Sequence, residues 1–236
     1  IPADPRQRLP FFQAFKQLLK DERKRIKDWH RSGTGGREII QAHTSLIDEV
    51  IRHVLRSMTQ LKVYARDDVL ENFSLIAVGG YGRGELNPLS DIDLLFLLSE
   101  KTQPLTKIFI QDVLSVIWGF GMEIGHSSRT IKDCVKFAQE DLTIKTSMIE
   151  TRFLIGNRIT YDKFCGSIQK KVLQKHVRQF LNSKLKEKYA GYGQGGGVVC
   201  HPEPDIKNGP GGLRDYHSAL WATAVRYGCN SLREIN

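Results

Sequence analysis

The 236-residue chain contains few cysteines, and their spacing follows no recognisable pattern. Its four cysteines form no Cys-x-x-Cys pair, which argues against a zinc ribbon or a dithiol redox motif. Reduced thiols of a cytoplasmic protein are the simpler expectation. The chain also lacks an apolar run of membrane-spanning length, and its first residues lack a secretory signal pattern. We therefore expect a cytoplasmic location and no membrane partner.

The charge of the chain is biased towards one sign. Its 35 Lys and Arg residues exceed its 26 Asp and Glu residues, for a net charge of +9. This balance favours anionic partners such as nucleotide phosphates, an acidic protein surface or nucleic acid. However, the basic clusters contain interleaved acidic residues and no aromatic pattern suited to base stacking, which favours solvated helix faces. We therefore expect no nucleic-acid partner.

The most informative segment consists of two apolar runs joined by a glycine-rich connection. The first run, Phe73–Val78, is short and ends at Gly79, as expected of a buried strand. The second, Ile92–Leu98, is an unbroken apolar run with the length of a strand covered on both faces. Asp91 and Asp93 stand at its start, and alternation along the strand projects both to one side, with Cα atoms roughly 6.6 Å apart. Two carboxylates that border an apolar core are energetically costly unless another group compensates their charge.

This pattern favours metal-assisted chemistry on a nucleotide. Mg²⁺ is usually held by one or two carboxylates plus substrate phosphates. Gly79 and Gly80 would let the backbone approach a triphosphate, and their amide groups would bind its oxygens. Arg83 would add positive charge to this phosphate site, and Ser90 a hydroxyl. We predict transfer of a nucleotidyl group to a hydroxyl, with the two aspartates as catalytic ligands of Mg²⁺, or of Mn²⁺ in its place.

These residues resemble the signature of the DNA polymerase β-type nucleotidyltransferase superfamily, a Gly-Gly pair followed by Asp-x-Asp. The fuller string over residues 79–95 is similar to one branch, the PII uridylyltransferase/uridylyl-removing enzymes of bacterial nitrogen regulation. Two further blocks agree with that family: Glu-Ile-Gly-His-Ser-Ser-Arg-Thr at residues 123–130, and the block at residues 203–215 that contains Pro-Gly-Gly-Leu-Arg-Asp. The resemblance extends from about residue 35 to residue 228.

The resemblance implies an α+β (mixed α/β) fold, with a small mixed sheet flanked by N- and C-terminal helices. It also implies transfer of UMP from UTP to a tyrosine of the PII signalling protein, with release of pyrophosphate. The chain has no His-Asp dipeptide, the mark of the family's hydrolase domain, so we expect the transferase without the hydrolase and regulatory domains. Two alternatives stay open: another acceptor, such as RNA or a small molecule, and a catalytically silent nucleotide-binding regulatory module.

Some roles are less sharply defined by the sequence. Enzymes of this superfamily commonly add a third acid from a neighbouring strand, and order along the chain makes Glu123 the predicted third catalytic carboxylate, with Glu150 as the alternative. His126 would orient a phosphate or the acceptor, or serve as a hydrogen-bonded structural residue. Arg214 and Asp215 follow a Pro-Gly-Gly turn, where they would close on the nucleotide, dock the acceptor, or form an ion pair at a helix start.

The chain divides into three predicted parts. They are an N-terminal helical segment (residues 1–70), a nucleotidyltransferase catalytic domain (71–157) and a C-terminal helical segment (158–236) with a glycine-rich linker at residues 191–197. An apolar stripe at helical spacing between Ile39 and Met58 predicts a helix against the catalytic domain. Within that domain we further predict a helix from Pro104, a strand over residues 122–128, and helices over residues 133–139 and 141–154.

Overall fold

The fold is described from a computed structural model that places residues 1–2, 4–65, 68–194 and 205–229. The chain forms two compact units. The first comprises Ile1–Cys134 and Glu150–Cys165, and the second comprises Val135–Ile149 with Gly166–Asn236. Among the residues so placed, no helix is both long and apolar enough to cross a membrane. The three-part division expected from the sequence stays a prediction.

Helices make up most of the placed chain. The α-helices are α1 (Arg8–Arg31), α2 (Gly36–Thr59), α3 (Gly79–Gly82), α4 (Pro104–Gly119), α5 (Ile131–Glu140), α6 (Leu142–Ser147), α7 (Arg158–Ile168), α8 (Val177–Gln194) and α9 (Leu213–Tyr227). The strands are β1 (Phe73–Val78), β2 (Ile92–Leu98), β3 (Ile124–Thr130) and β4 (Thr151–Gly156). Short 3₁₀ turns cover Pro5–Gln7 and Val69–Asn72, and a π-helical turn covers Gln169–Leu173.

The strands form one mixed sheet, in the order β3-β2-β1-β4, in the first unit. Strand β1 pairs antiparallel with β2 on one side and with β4 on the other. Strand β2 pairs in parallel with β3, which places Asp93 opposite Gly125. The predicted α+β fold with a small mixed sheet is confirmed. Because β1 and β2 are antiparallel, the end of β1 and the start of β2 meet at one edge of the sheet.

One face of the sheet is covered by α2 and α4. The sheet and these two helices share one hydrophobic core. The sheet contributes alternate residues of β1 and β2 to this core, namely Phe73, Leu75, Ala77, Ile92, Leu94 and Phe96. Six residues of the apolar stripe predicted for α2 lie in this core, namely Ile47, Val50, Ile51, Val54, Leu55 and Met58. Of the other two, Ile39 is buried and Ile40 is half-buried. Each such apolar side chain contributes about 1.5–3 kcal/mol when it is fully buried. Alternation along β2 then leaves Asp91 and Asp93 on the opposite face.

The predicted helix over residues 141–154 is wrong at its C-terminal end. The helix begins as expected, because the Asp141 side chain caps α6 by accepting a hydrogen bond from Ile144 N at 2.7 Å. It ends at Ser147, however, and Thr151–Gly156 form β4. Strand β4 pairs with backbone groups of buried β1 that would otherwise lack partners. Long-range pairing therefore overrides local helical preference here.

Other element boundaries also differ from the prediction, and helix α5 is longer than expected at both ends. Strand β3 begins at Ile124 and ends at Thr130, so it lies two residues beyond the predicted 122–128. Helix α8 continues through Gln194, so the first part of the predicted glycine-rich linker is helical. Glycine costs about 1 kcal/mol in a helix interior, which the end of a helix tolerates more easily. Residues 195–204, which include Cys200, lie outside the described residues.

Candidate active site

The two aspartates predicted to bind metal lie at the start of β2, on the face of the sheet away from α2 and α4. Both are solvent-exposed. Among the residues that the structure places, neither forms an ion pair with a Lys, Arg or His side chain. Although the Asp93 side chain is exposed, neighbouring atoms shield its carboxylate from part of the solvent. This desolvation, and secondarily the charge of Asp91, raise the pKa of Asp93 above its usual value. Two adjacent acids without a cationic partner are electrostatically suited to a cation.

The glycine-rich turn lies directly beside Asp93. Strand β1 ends at Val78, and Gly79 begins the single-turn helix α3 with φ of +62°, a conformation that favours glycine. A Cβ atom at Gly79 would stand 3.8 Å from Oδ2 of Asp93. The structure thus brings together the two halves of the predicted site, the turn and the acids. Ser90 is exposed just before Asp91, and its N–H donates to Asn87 O at 3.0 Å.

Arg83, predicted to contact phosphate, is held by two carboxylates. Its Nη1 lies 2.6 Å from Oε2 of buried Glu150, and its Nε donates to Glu85 at 2.8 Å. Burial alone would lower the pKa of Arg83, but hydrogen bonds and charge from these two acids outweigh it and raise the pKa. The guanidinium is therefore charged and fixed beside the turn. Glu150, the alternative third carboxylate, is engaged in this ion pair.

Glu123 immediately precedes β3, on the strand next to the aspartates. The register pairs Ile92 with Ile124, and the Ile92 N–H donates to the Glu123 carbonyl at 3.3 Å. Glu123 is thus level with Asp91, and its side chain is exposed. It shares a strand face with Gly125, which faces Asp93, so its side chain is directed to the same side of the sheet. Its catalytic role stays a prediction.

A divalent ion fits this set of donors only with help from a substrate. In the part of the chain that the structure covers, no three His, Cys, Asp or Glu side chains converge as a metal cage. Asp91 and Asp93 would therefore supply the protein ligands, and phosphate oxygens and water the rest. Mg²⁺ is commonly bound in this way, whereas a closed structural site needs a full protein ligand set.

A buried network behind the turn was not predicted from the sequence. Asp48 of α2 is only 7% exposed and accepts hydrogen bonds from the Tyr81 hydroxyl (2.7 Å), from Arg52 (3.2 Å) and twice from Arg152 (2.6 and 3.0 Å). Arg152 also donates to Tyr81 O at 3.1 Å. The network ties α3 to α2 and β4. An acid within the apolar stripe of α2 is the signal that could have revealed it, because buried charge requires partners.

Helix α2 also holds the chain that follows the turn. The Thr44 hydroxyl donates to Gly84 O at 3.1 Å and accepts from Leu86 N at the same distance. One turn of helix away from Asp48, this second anchor fixes the connection between α3 and β2. The glycine turn is therefore supported at two points by buried side chains of α2, so that its backbone is pre-organised beside the aspartates.

The remaining predicted residues have identifiable surroundings. His126 in β3 is exposed, and its ring lies 5.6 Å from the Trp118 ring. Asp215 accepts a hydrogen bond from Gly211 N at 2.9 Å and pairs with Lys188 at 3.3 Å, as expected of an acid in the first turn of α9. Arg214 is exposed on the same turn. Arg214 and Asp215 belong to the second unit, and their functional roles stay predictions.

Comparison with known proteins agrees with this geometry. The family model described as a nucleotidyltransferase domain matches residues 58–154, which contain the aspartates and the glycine turn. The family model described as GlnD PII-uridylyltransferase matches residues 179–236. The fold, the site geometry and the first of these matches define residues 58–154 as a nucleotidyltransferase domain.

Individual relatives narrow this class. Among them are bifunctional uridylyltransferase/uridylyl-removing enzymes from Rhodospirillum rubrum (38% identity, 86% of this chain, 22% of the relative), Caulobacter vibrioides (37%, 94% and 24%) and Phenylobacterium zucineum (35%, 97% and 24%). The chain is thus related over most of its length to this group of enzymes. It spans between 22% and 24% of the length of these relatives.

Proposed function

We propose that the chain catalyses metal-dependent transfer of UMP from UTP to a tyrosine hydroxyl of a PII protein in the cytoplasm. The observation that carries the proposal is the pair of exposed carboxylates, Asp91 and Asp93, which lie beside the Gly79 turn and have no basic partner among the described residues. The choice of UTP and of a PII acceptor is supported by the descriptions of the related proteins, which are uridylyltransferases and, in one family model, PII-uridylyltransferases.

The triphosphate would bind along the glycine turn. The backbone at Gly79 and Gly80 can approach phosphate closely because neither residue carries a Cβ. Arg83 is held at a fixed position beside the turn by Glu85 and Glu150, from which its guanidinium would donate to a phosphate oxygen. The exposed Ser90 hydroxyl would supply a further hydrogen bond. Anchoring of the turn through α2 means that little reorganisation is needed when the nucleotide binds.

In the proposed reaction the tyrosyl oxygen bonds to the α-phosphorus of UTP. The bond from that phosphorus to the oxygen bridging to the β-phosphate breaks, and pyrophosphate leaves. Mg²⁺ held by Asp91 and Asp93 would supply charge stabilisation at the attacking and leaving oxygens. We assign the tyrosyl proton to Glu123, which immediately precedes the adjacent strand β3 and lies level with Asp91. The chain's contribution is mainly positioning and pre-organised charge.

The test is the intact mass of purified PII protein after incubation with the chain and Mg²⁺. The four ribonucleoside triphosphates are supplied in separate reactions. We expect one uridylyl mass increment per modified PII subunit with UTP alone, located on a tyrosine by fragmentation, and none on a PII protein in which that tyrosine is phenylalanine.

Other results would contradict the proposal in distinguishable ways. Triphosphate binding without any product or pyrophosphate would indicate a silent nucleotide-binding module. Pyrophosphate release with RNA or a small-molecule hydroxyl, but not with PII, would indicate a different acceptor. Modification by ATP rather than UTP would contradict the assigned base.

A further inference from the structure

The Asp93 carboxylate lies between two glycines, one on each side of β2. Gly79, at the end of β1, is on the side of Oδ2. Gly125 of β3 is directly opposite Asp93 in the parallel register and is on the side of Oδ1. The Cβ of an alanine at residue 125 would overlap Oδ1 of Asp93, far inside the van der Waals contact distance. The position of this carboxylate therefore depends on the absence of a side chain at residue 125.

The two glycines are present for different physical reasons. Gly79 has a positive φ, which by itself favours glycine whatever surrounds it. Gly125 has no positive φ and lies in a regular strand, where the backbone would accept other residues. Glycine inside a strand weakens it, because it loses more chain entropy on folding and has no side chain to pack. The backbone of β3 gives no reason for glycine at this position.

The reason for glycine at residue 125 is found in the atoms that a side chain there would contact. At Gly82 and Gly156 an added Cβ would collide with backbone atoms, so those glycines serve the fold. At Gly125 the atoms met are Oδ1 and Cγ of Asp93 alone. A carboxylate can rotate away from a new methyl group, whereas a backbone cannot. Alanine at residue 125 should therefore leave the fold intact and displace the Asp93 carboxylate.

We propose that Gly125 is a positioning residue of the active site: it leaves the space in which the Asp93 carboxylate is oriented to hold a divalent cation and nucleotide phosphate. The inference rests on the proposed function, because Asp93 is the ligand being positioned. The inference adds to the active site a requirement for glycine at residue 125 of β3, separate from the two aspartates and the glycine turn. A neutral strand residue thus determines the geometry of a charged one on the adjacent strand.

The first test is a thermal cycle that needs no nucleotide or acceptor. Melting temperatures of the 236-residue chain are measured for wild type, Gly125→Ala, Asp93→Ala and the double variant. With Asp93 shortened, Gly125→Ala should raise the melting temperature, because alanine suits a strand better than glycine. With Asp93 present, this increase in melting temperature should be lost or reversed. The shift caused by Gly125→Ala should therefore differ by about 2–4 °C between the two backgrounds. Gly36→Ala is the control, since a Cβ there meets no atom within 4 Å, and should shift both backgrounds equally.

The second test is binding of Mn²⁺ with UTP, followed by electron paramagnetic resonance. Gly125→Ala should weaken this binding about tenfold, as expected when a supporting residue of a metal ligand is lost. Gly36→Ala should bind as wild type does. Equal melting shifts for Gly125→Ala in both backgrounds, or unchanged Mn²⁺–UTP affinity, would overturn the inference. Failure of the wild-type chain to bind Mn²⁺ with UTP would instead contradict the proposed function, and with it the role of Gly125.

Discussion

Asp48 and Asp93 lie in the same compact unit and differ in almost every physical respect. Asp48 is buried in the stripe of α2 and accepts hydrogen bonds from Tyr81, Arg52 and Arg152. Asp93 is exposed at the start of β2, and within the placed residues no basic side chain pairs with it. The first charge is fully compensated by the protein. We propose that the second is left for a group that the protein binds, which would separate an acid that stabilises the fold from an acid that takes part in the chemistry.

The two acids are nevertheless linked through the glycine turn. Asp48 holds Tyr81, which belongs to α3, and the first residue of α3 lies beside Asp93. The paired acid therefore fixes the backbone next to the unpaired one. Replacing Asp48 should cost folding stability, whereas replacing Asp93 should cost activity and little stability.

The largest stability effect should come from Asp48→Ala. The substitution removes the buried carboxylate that accepts from two arginines and from the Tyr81 hydroxyl, and breaking a buried pair in this way costs about 3–5 kcal/mol. We expect the free energy of unfolding, measured by urea denaturation, to fall by at least about 3 kcal/mol. Asp162→Asn, which removes an exposed ion pair with Arg158, should cost about 0.5 kcal/mol or less. Similar losses for the two variants would contradict the structural role of Asp48.

A smaller loss is expected from Tyr81→Phe. This change removes one buried hydrogen bond to a charged acceptor and keeps the ring. The free energy of unfolding should therefore fall by about 1.5–3 kcal/mol. Tyr161→Phe is the comparison, because its hydroxyl donates to the neutral carbonyl of Thr151 at 3.1 Å. We expect Tyr161→Phe to lower the free energy of unfolding by about 1 kcal/mol. A larger cost at Tyr161 than at Tyr81 would argue against a compensated charge at Asp48.

The smallest effect, opposite in sign, should be the pH-dependent stability of Asp93→Asn. Folding raises the pKa of Asp93, so the folded state binds its proton more tightly and wild type loses stability as pH rises above the unfolded aspartate pKa of about 3.9. Asparagine stays neutral throughout. The variant should therefore melt slightly higher than wild type at neutral pH, and the two curves should converge at acid pH. A variant that melts lower than wild type at neutral pH would contradict the unpaired state of Asp93.

Much of the site was predictable because its signals are local. The two strands that carry it begin and end where the apolar runs do, and the aspartates share a face because side chains alternate along a strand. The position of Gly79 beside Asp93 follows once the two strands are antiparallel neighbours. These inferences depend only on sequence order and strand geometry.

Other features depend on contacts distant in sequence. Strand β4 was missed because its identity comes from pairing with β1, more than 70 residues earlier, rather than from local preference. The Asp48 network joins α2, α3 and β4, and only the presence of an acid in an apolar stripe hinted at it. Gly125 was part of a recognised block, yet its relation to Asp93 appears only in the register of β2 with β3.

The most direct test of the central claim is the rate of UMP transfer from UTP to PII protein by wild type, Asp93→Asn and Asp162→Asn under identical conditions. If the unpaired acid is the functional one, Asp93→Asn should lower the rate at least about 100-fold, equivalent to about 2.7 kcal/mol of transition-state stabilisation. Asp162→Asn should stay within about twofold of wild type, because its exposed ion pair contributes little. A wild-type transfer rate in Asp93→Asn would contradict the account.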